Sequence, residues 1–468
     1  MKNYDVVIIG GGISGVYSMY NLKKKYPNLK VLLLEKNDRF GGRVYTFHSK
    51  VNNINYTMDL GAGRIGFHHK NMVSLINELN LEKNIIPIKN TENYKEVERK
   101  QNNYSVSDKS KLKEKCGKLL YNFFNSKIVT NIPKIILKKL YLNELLSSFF
   151  EKKDYNNIKD SFEYNNKLYS LNAFDAINVF KTDYNEYSKF FILKNGFSSI
   201  INKMIERIIQ NKNYKLKKNI FVSNIEYNYE DNNYIISYTN NLYNNNAKNS
   251  KNKTKKKYEN HEIMISSNHL ICALPRCNLI KFKIMKPFLR ELNTINEITK
   301  VRIFEIYDKS DNEVWFNNIS KTTTNEHLQF VIPINRESGL IMSSYNENPT
   351  IQDNYWYKLY KKNENKMREL LRKKLSNVFD IDVPKSKYMK LAYWKMGVAC
   401  WKKNVDSYII SQKIINLMPN FYICGENYSN YQAWCEGALQ TSEEVTNKIS
   451  CILDNLKHNK TKKNKPIF

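Results

Sequence analysis

Gly10, Gly12 and Gly15 fall at the spacing G-x-G-x-x-G, and Glu35 follows 20 residues after the last of them. Glycines so placed do chemistry with their backbone: main-chain N–H groups can close on a pyrophosphate where any side chain would stand in the way. Gly10 allows the tight turn, Gly12 the close approach and Gly15 the packing of helix on strand; Ser14 lies among them as a further candidate. Glu35 stands at the offset of a carboxylate that holds ribose hydroxyls. Three elements must position this set. The run Asp5-Val6-Val7-Ile8-Ile9 leads into the glycine turn, and Val31-Leu32-Leu33-Leu34 leads to Glu35. The segment between them reads as a helix whose N-terminus faces the anion, and the whole as a dinucleotide-binding β-α-β unit.

Other reactive side chains show less order. The seven histidines include no H-E-x-x-H, and in the pair His68-His69 adjacent side chains diverge on any regular element. A surface loop and no metal site are therefore expected. The seven cysteines are odd in number and contain no C-x-x-C, which points to free thiols in a reducing, intracellular, cytoplasmic setting. No run of about 18 apolar residues occurs, so no transmembrane helix is expected. The apolar N-terminal stretch is broken by glycines and is needed as a strand, which argues against a signal peptide.

A chain of 468 residues is long enough for about two to three domains, and 33 Tyr and 22 Phe among 41% hydrophobic residues can build their cores. The formal net charge of +30 raises nucleic-acid binding as a function. The excess is mostly lysine, travels with Asn, Ile and Tyr as in AT-rich coding, and gathers in insertion-like segments rather than on one aromatic-studded face. Such charge supplies non-specific affinity and no function, so nucleic acid is not the favoured partner.

Residues 1–66 read as strand, helix, strand, glycine loop and a further extended segment. From about 70 to 187 the pattern turns helical and lysine-rich, with Met72, Leu75, Ile76 and Leu79 on one helical face. Ile192 to Ile209 reads as a helix, and Ile220–Tyr227 with Tyr234–Tyr238 as a hairpin. Residues 240–260 are an Asn/Lys-rich low-complexity loop. Strands are read at 269–275, 301–307, 328–334, 340–345 and 421–424, helices at 355–378 and 437–456, and a basic tail at 457–468.

Three collinear segments beyond the glycine loop resemble the flavin-containing amine oxidase family, which includes monoamine, polyamine and L-amino-acid oxidases. They are Asp38-Arg39-Phe40-Gly41-Gly42-Arg43-Val44, then Asp59-Leu60-Gly61-Ala62-Gly63-Arg64, then Gly425-Glu426 with Trp434-Cys435-Glu436-Gly437-Ala438-Leu439. Nicotinamide enzymes with the same opening lack the GGR and the closing segments, so the resemblance implies FAD rather than NAD. It implies an α/β fold: an FAD-binding, Rossmann-like, doubly wound domain with a second α+β substrate domain of mixed sheet plus helices. On this reading residues 1–70, 190–280 and 395–456 build a discontinuous FAD domain. Residues 71–189 and 281–394 build the substrate domain with its helical insertion.

The resemblance also implies roles. Gly42, Gly61, Ala62 and Gly425 lie along the cofactor, and Arg43 can neutralise a phosphate with its planar fork or else form a surface ion pair. Val222 matches the residue whose backbone holds the adenine, and Glu426 the one that accepts from ribityl hydroxyls. The N–H groups of Gly437-Ala438-Leu439 would face the flavin pyrimidine edge, while Glu436 and Glu443 read more simply as helix-terminus and surface carboxylates. Lys300 matches a lysine that points through a water toward flavin N5, though it also suits the wet face of a strand. Trp434 falls at the aromatic position of the flavin's re face, with Trp401 or Trp394 as a second wall. Cys400-Trp401 is similar to the pair that carries covalent flavin in monoamine oxidases, but the spacing is imperfect and non-covalent FAD is expected.

Arg64 matches the arginine that pairs with the substrate carboxylate in L-amino-acid oxidases. The expected reaction is therefore hydride transfer from the α-carbon of an amino acid to flavin N5, with O₂ as co-substrate, giving an imine or carbonyl product, ammonia and H₂O₂. The alternatives are a polyamine or monoamine oxidase, and a basic nucleic-acid-associated protein that retains a flavin fold.

Overall fold

The computed structural model describes residues 1–88, 92–100, 103–161, 165–183, 188–240, 262–348 and 355–463. All of the low-complexity loop but its first residue lies outside them.

Lys2–Ile9 is a strand, Ile13–Lys25 a helix and Val31–Leu34 a second strand, as the glycine punctuation requires. The first sheet runs Tyr214–Lys217, Val31–Leu34, Lys2–Ile9, Ile263–Cys272, Asn233–Asn240, Ile220–Asn228. Its first four strands are parallel and the last two form the expected antiparallel hairpin. Inner parallel strands are covered on both faces, so their side chains divide between two cores. Val6 and Ile8 pack toward the helices Ile13–Lys25, Ser198–Ile209 and Cys435–Lys463, while Val7 and Ile9 join the opposite core.

Ile263–Cys272 is long enough to pair twice along one edge. Its first half meets the hairpin at Asn233–Asn240, and Leu270–Cys272 meets Phe421–Ile423 in parallel. That branch brings Gly425 to the carboxyl ends of the strands, where the glycine turn also lies.

The second sheet is mixed: Tyr388–Trp401, Ile295–Ile306, Leu340–Asn348, Phe330–Asn335, Lys321–Thr324, Glu92–Lys100, Asn103–Asp108. A third, small sheet joins Ile65–Gly66, Phe190–Leu193 and Ile85–Pro87, and so sets Arg64 beside Phe190. Among the described residues no helix is long and apolar enough to cross a membrane.

Four sequence expectations are corrected. Glu92–Lys100 and Asn103–Asp108 are a hairpin inside the stretch read as helical; Lys321–Thr324 supplies a parallel partner that overrides local propensity. Ile192 belongs to a strand, and the helix begins at Ser198, after Gly196 turns the chain at φ +75°. The segment 355–378 is two helices, Tyr355–Lys362 and Glu364–Phe379, because Asn363 caps the second with its side chain. The closing helix runs Cys435–Lys463, starting earlier than read and continuing into the stretch read as a basic tail.

Candidate active site

The first intrahelical bond of Ile13–Lys25 runs from Val16 N to Gly12 O at 3.0 Å, so the N–H groups from Gly12 to Gly15 have no helical acceptor. No acidic residue occupies that first turn. A Cβ at Gly10 would come 2.4 Å from Ala273 O, and one at Gly15 2.0 Å from Gly10 O. At Gly12 it would meet nothing within 4 Å. Chain packing thus demands the first and third glycines, while the middle one opens beside N–H groups that have no acceptor within the helix. Gly42, at φ +58°, lies against Gly12. These residues fit a dinucleotide pyrophosphate. Ser14 is buried close to Gly425, which is tied to the closing helix by its N–H to Thr441 Oγ1 at 2.9 Å.

Glu35 braces this turn. Its Oε2 accepts from Gly11 N at 2.6 Å and its Oε1 from Asn37 N at 2.8 Å. Ile220 N donates to Glu35 O at 2.8 Å, and the edge strand that starts there carries buried Val222.

Arg43 and Glu426 meet each other. Arg43 Nη1 donates to Glu426 Oε2 at 2.7 Å and Nη2 to Asn427 Oδ1 at 3.1 Å. Glu426 Oε1 takes the N–H groups of Ala399 and Ala433 at 2.9 and 2.7 Å. The guanidinium is committed to a half-buried ion pair rather than a surface one, and the carboxylate knots three segments, keeping little acceptor capacity for a ribityl hydroxyl. Gly61 fits because a Cβ there would collide with Arg43 O, to which Ala62 N donates at 2.9 Å.

Lys300 lies on Ile295–Ile306 opposite Trp394. Its stem passes Gly397, where a Cβ would come 2.4 Å from Lys300 Cγ. Its Nζ reaches Glu347 Oε1 at 2.5 Å and Tyr345 OH at 2.6 Å, both on the neighbouring strand Leu340–Asn348. Burial alone would raise the Glu347 carboxyl, but the Lys300 ammonium and the Tyr345 hydroxyl hold it below its ordinary value. Burial and then Glu347 push the Tyr345 phenol up. The lysine is therefore not a wet-face residue. Trp394 donates Nε1–H to Leu60 O at 2.7 Å and packs on Gly61, joining the lysine strand to the glycine loop.

Trp434 is gripped on several sides. Phe190 stacks on it at 5.6 Å and 14°, His69 meets it edge-on at 4.7 Å, and the Arg64 guanidinium lies 5.6 Å from its ring and 4.4 Å from that of Phe190. Its Nε1–H donates to Asp183 Oδ2 at 2.7 Å. Asp183 Oδ1 also receives Tyr431 OH and faces His68 Nε2 at 2.8 Å. Burial alone would raise the Asp183 carboxyl; the contacts from His68, the nearby His69 and Tyr431 outweigh it and hold it well below the carboxylate range.

The histidine pair is accordingly no surface loop. His69 is buried, and both rings converge on Asp183 because they sit in a turn rather than on a regular element. Donor atoms of His68, His69 and Asp183 lie within 4.8 Å of one another. His69 Nδ1 accepts the Gly66 N–H at 3.1 Å, and its Nε2 lies 3.8 Å from Asp183 Oδ1. Hydrogen bonds from His68, Tyr431 and Trp434 meet on Asp183 at the centre of the group.

Three expectations fail for physical reasons. Trp401 is 1% exposed in the core, with Nε1–H on Ser429 O at 2.9 Å, and walls no open cleft. Because the closing helix begins at Cys435, its unpaired N–H groups lie before Ala438, and Ala438 and Leu439 are buried core residues. Glu436 is buried rather than a surface carboxylate, accepting Asn71 N and Met72 N at 3.0 and 2.9 Å to cap Lys70–Glu78, while Glu443 receives Tyr17 OH at 2.6 Å. Cys400 is a buried thiol pushed up to about 11, chiefly by burial. Sequence reasoning missed Asp183, Tyr345 and Glu347. An acid two residues after a tyrosine on an apolar strand was the available signal for Glu347.

The same fold recurs in known proteins. The structure resembles that of a putrescine oxidase variant redesigned for cofactor binding, with a TM-score of 0.68, 12% identity, and coverage of 96% of this chain and 99% of that one. The chain is 42% identical over 79 residues to a probable flavin-containing monoamine oxidase A of Dictyostelium discoideum, and 43% identical over 79 residues to flavin-containing amine oxidase A of Equus caballus. Each match covers 17% of this chain, and spans 16% and 14% of those two proteins. The model of the flavin-containing amine oxidoreductases matches residues 13–450. The Arg43–Glu426 pair and the Lys300 strand thus stand within a match that begins just after Gly12 and covers nearly the whole chain, and the protein belongs to the flavin-containing amine oxidoreductase family.

Proposed function

We propose that the protein oxidises an α-amino acid, releasing an imine that hydrolyses to a carbonyl compound and ammonia, with O₂ reduced to H₂O₂. The observation that carries this reading is the position of Arg64, held across Phe190 and beside Trp434 on the aromatic wall. A guanidinium there repels a protonated amine and offers a planar fork to a carboxylate. Lys300 and Arg302 add to the positive field around Tyr345, and Arg302 is also anchored on Asp59 O at 2.8 Å.

Bound FAD would supply the two-electron acceptor. It would be held by the Gly12–Gly15 N–H groups and Gly42, with Glu35 and Val222 toward the adenosine. Non-covalent attachment fits the inward burial of Cys400. The chain's own tasks are to orient the amine along Trp434, to pair the carboxylate with Arg64, and to keep a cation at Lys300 where oxygen is reduced. A peroxide-release screen of the purified protein against amino acids, monoamines and polyamines tests the reading. Turnover of amino acids is expected; turnover of polyamines with none of any amino acid would overturn it.

A further inference from the structure

Lys167 is a buried cation with no task in that scheme. It lies in the short helix Asn165–Tyr169 and is 2% exposed. Its Nζ has no hydrogen-bond partner among the described residues. The helix packs on Leu340–Asn348, the strand that carries Tyr345 and Glu347. Glu347 Oε2 is likewise unpartnered, because Oε1 takes both Lys300 and Tyr345. Among the described residues no ion pair joins Lys167 to Glu347, yet the Lys167 charge acts on Glu347 and on the buried Cys400 thiol. An ammonium taken out of water without an acceptor is costly, and a ligand that supplies one is correspondingly favoured.

Arg64 and Lys167 approach one hydrogen-bonded pair from two segments of the chain. Gly63, next to Arg64, packs on Arg302, whose guanidinium lies 4.8 Å from the Tyr345 ring; the Lys167 helix packs on the same strand, and Tyr345 OH donates to Glu347 Oε1 at 2.6 Å. We propose that Lys167 determines specificity by receiving an acidic group on the substrate side chain, so that the preferred substrate is a dicarboxylic amino acid with one carboxylate on Arg64 and the other on Lys167. The proposal rests on the amino-acid reading above. A neutral side chain leaves the buried ammonium unpaired, and a site built for a polar partner discriminates strongly against an analogue that lacks it.

The test compares kcat/KM by peroxide release for glutamate, aspartate, leucine and putrescine, using the holoenzyme and its Lys167→Met and Lys167→Arg variants. Wild type is expected to prefer an acidic amino acid over leucine by about 100-fold or more. Lys167→Met should cut that preference by about 30-fold or more, and Lys167→Arg should restore part of it. Glutarate should inhibit wild type more tightly than valerate, a comparison that needs no variant to fold. Equal rates on acidic and neutral amino acids, equal inhibition by the two acids, or a preference untouched in Lys167→Met would overturn the role of Lys167 and leave the amino-acid reading standing. Turnover of putrescine alone would overturn that reading itself.

Discussion

Asp183 holds the indole of Trp434 from 251 residues away, Oδ2 to Nε1 at 2.7 Å. The same carboxylate takes Tyr431 OH, so two side chains of the loop before the closing helix hang on one buried acid. An aromatic wall guides a small substrate only if its plane is fixed. Asp183→Ala should raise KM about 10-fold or more while lowering kcat less, and should shift the tryptophan emission. Breaking a buried charged contact should also cost about 3–5 kcal/mol in urea unfolding. Unchanged KM in a folded variant would separate the network from substrate positioning.

Acid should reveal the same carboxylate. Asp183 titrates below its unfolded value, so the unfolded chain takes up its proton first as pH falls. Its contribution is present above the unfolded pKa, near ~3.9, and is lost as pH drops through the folded value. Glu347 acts in the same direction, whereas burial raises Asp59 and Asp175 and gives them the opposite slope. The difference between wild type and Asp183→Asn isolates the one group. That difference should shrink between pH 5 and pH 3 in urea titrations, by about the protonation of a single acid.

Two glycines a few residues apart should fail differently. Gly15→Ala forces a Cβ to 2.0 Å from Gly10 O and should give unfolded or insoluble protein. Gly12→Ala meets no protein atom, so its Tm should stay close to wild type while the purified protein loses its flavin absorbance. Flavin retained at wild-type stoichiometry in Gly12→Ala would show that the pyrophosphate does not approach there.

Lys300 pairs with Glu347 and is proposed to assist the oxygen step, and a second substitution separates the two roles. Lys300→Met leaves Glu347 as an uncompensated buried charge and should cost about 3–5 kcal/mol. Adding Glu347→Gln should recover much of that loss. Flavin reoxidation by O₂ in stopped flow should remain slowed by about 100-fold or more in the double variant. Reoxidation at the wild-type rate would remove Lys300 from the oxygen step.

The opening unit was legible because its signals are local: an apolar run, glycines at fixed offsets and an acid at the next strand end. Lys300 and Arg43 were legible only through the company of distant segments. Their pairings with Glu347 and Glu426 were obscured because two strands or two loops must meet before either pair exists. His68-His69 misled for the opposite reason: the divergence rule applies to regular elements, and the pair sits in a turn facing a residue 115 positions away. The hairpin at 92–108 was hidden by lysine-rich composition, since a parallel partner at Lys321–Thr324 decides its state.

The forked edge of Ile263–Cys272 also sets a schedule for synthesis. The glycine turn is translated long before the Phe421–Ile423 strand that completes the same rim. Domains fold as their parts emerge, and this rim has its last part translated late. A nascent chain stalled before residue 421 can build most of the first sheet yet cannot bring Gly425 to the cofactor side. Cofactor capture thus waits for the Phe421–Ile423 strand, and a chain truncated upstream of Phe421 should be a colourless protein rather than a weakened enzyme.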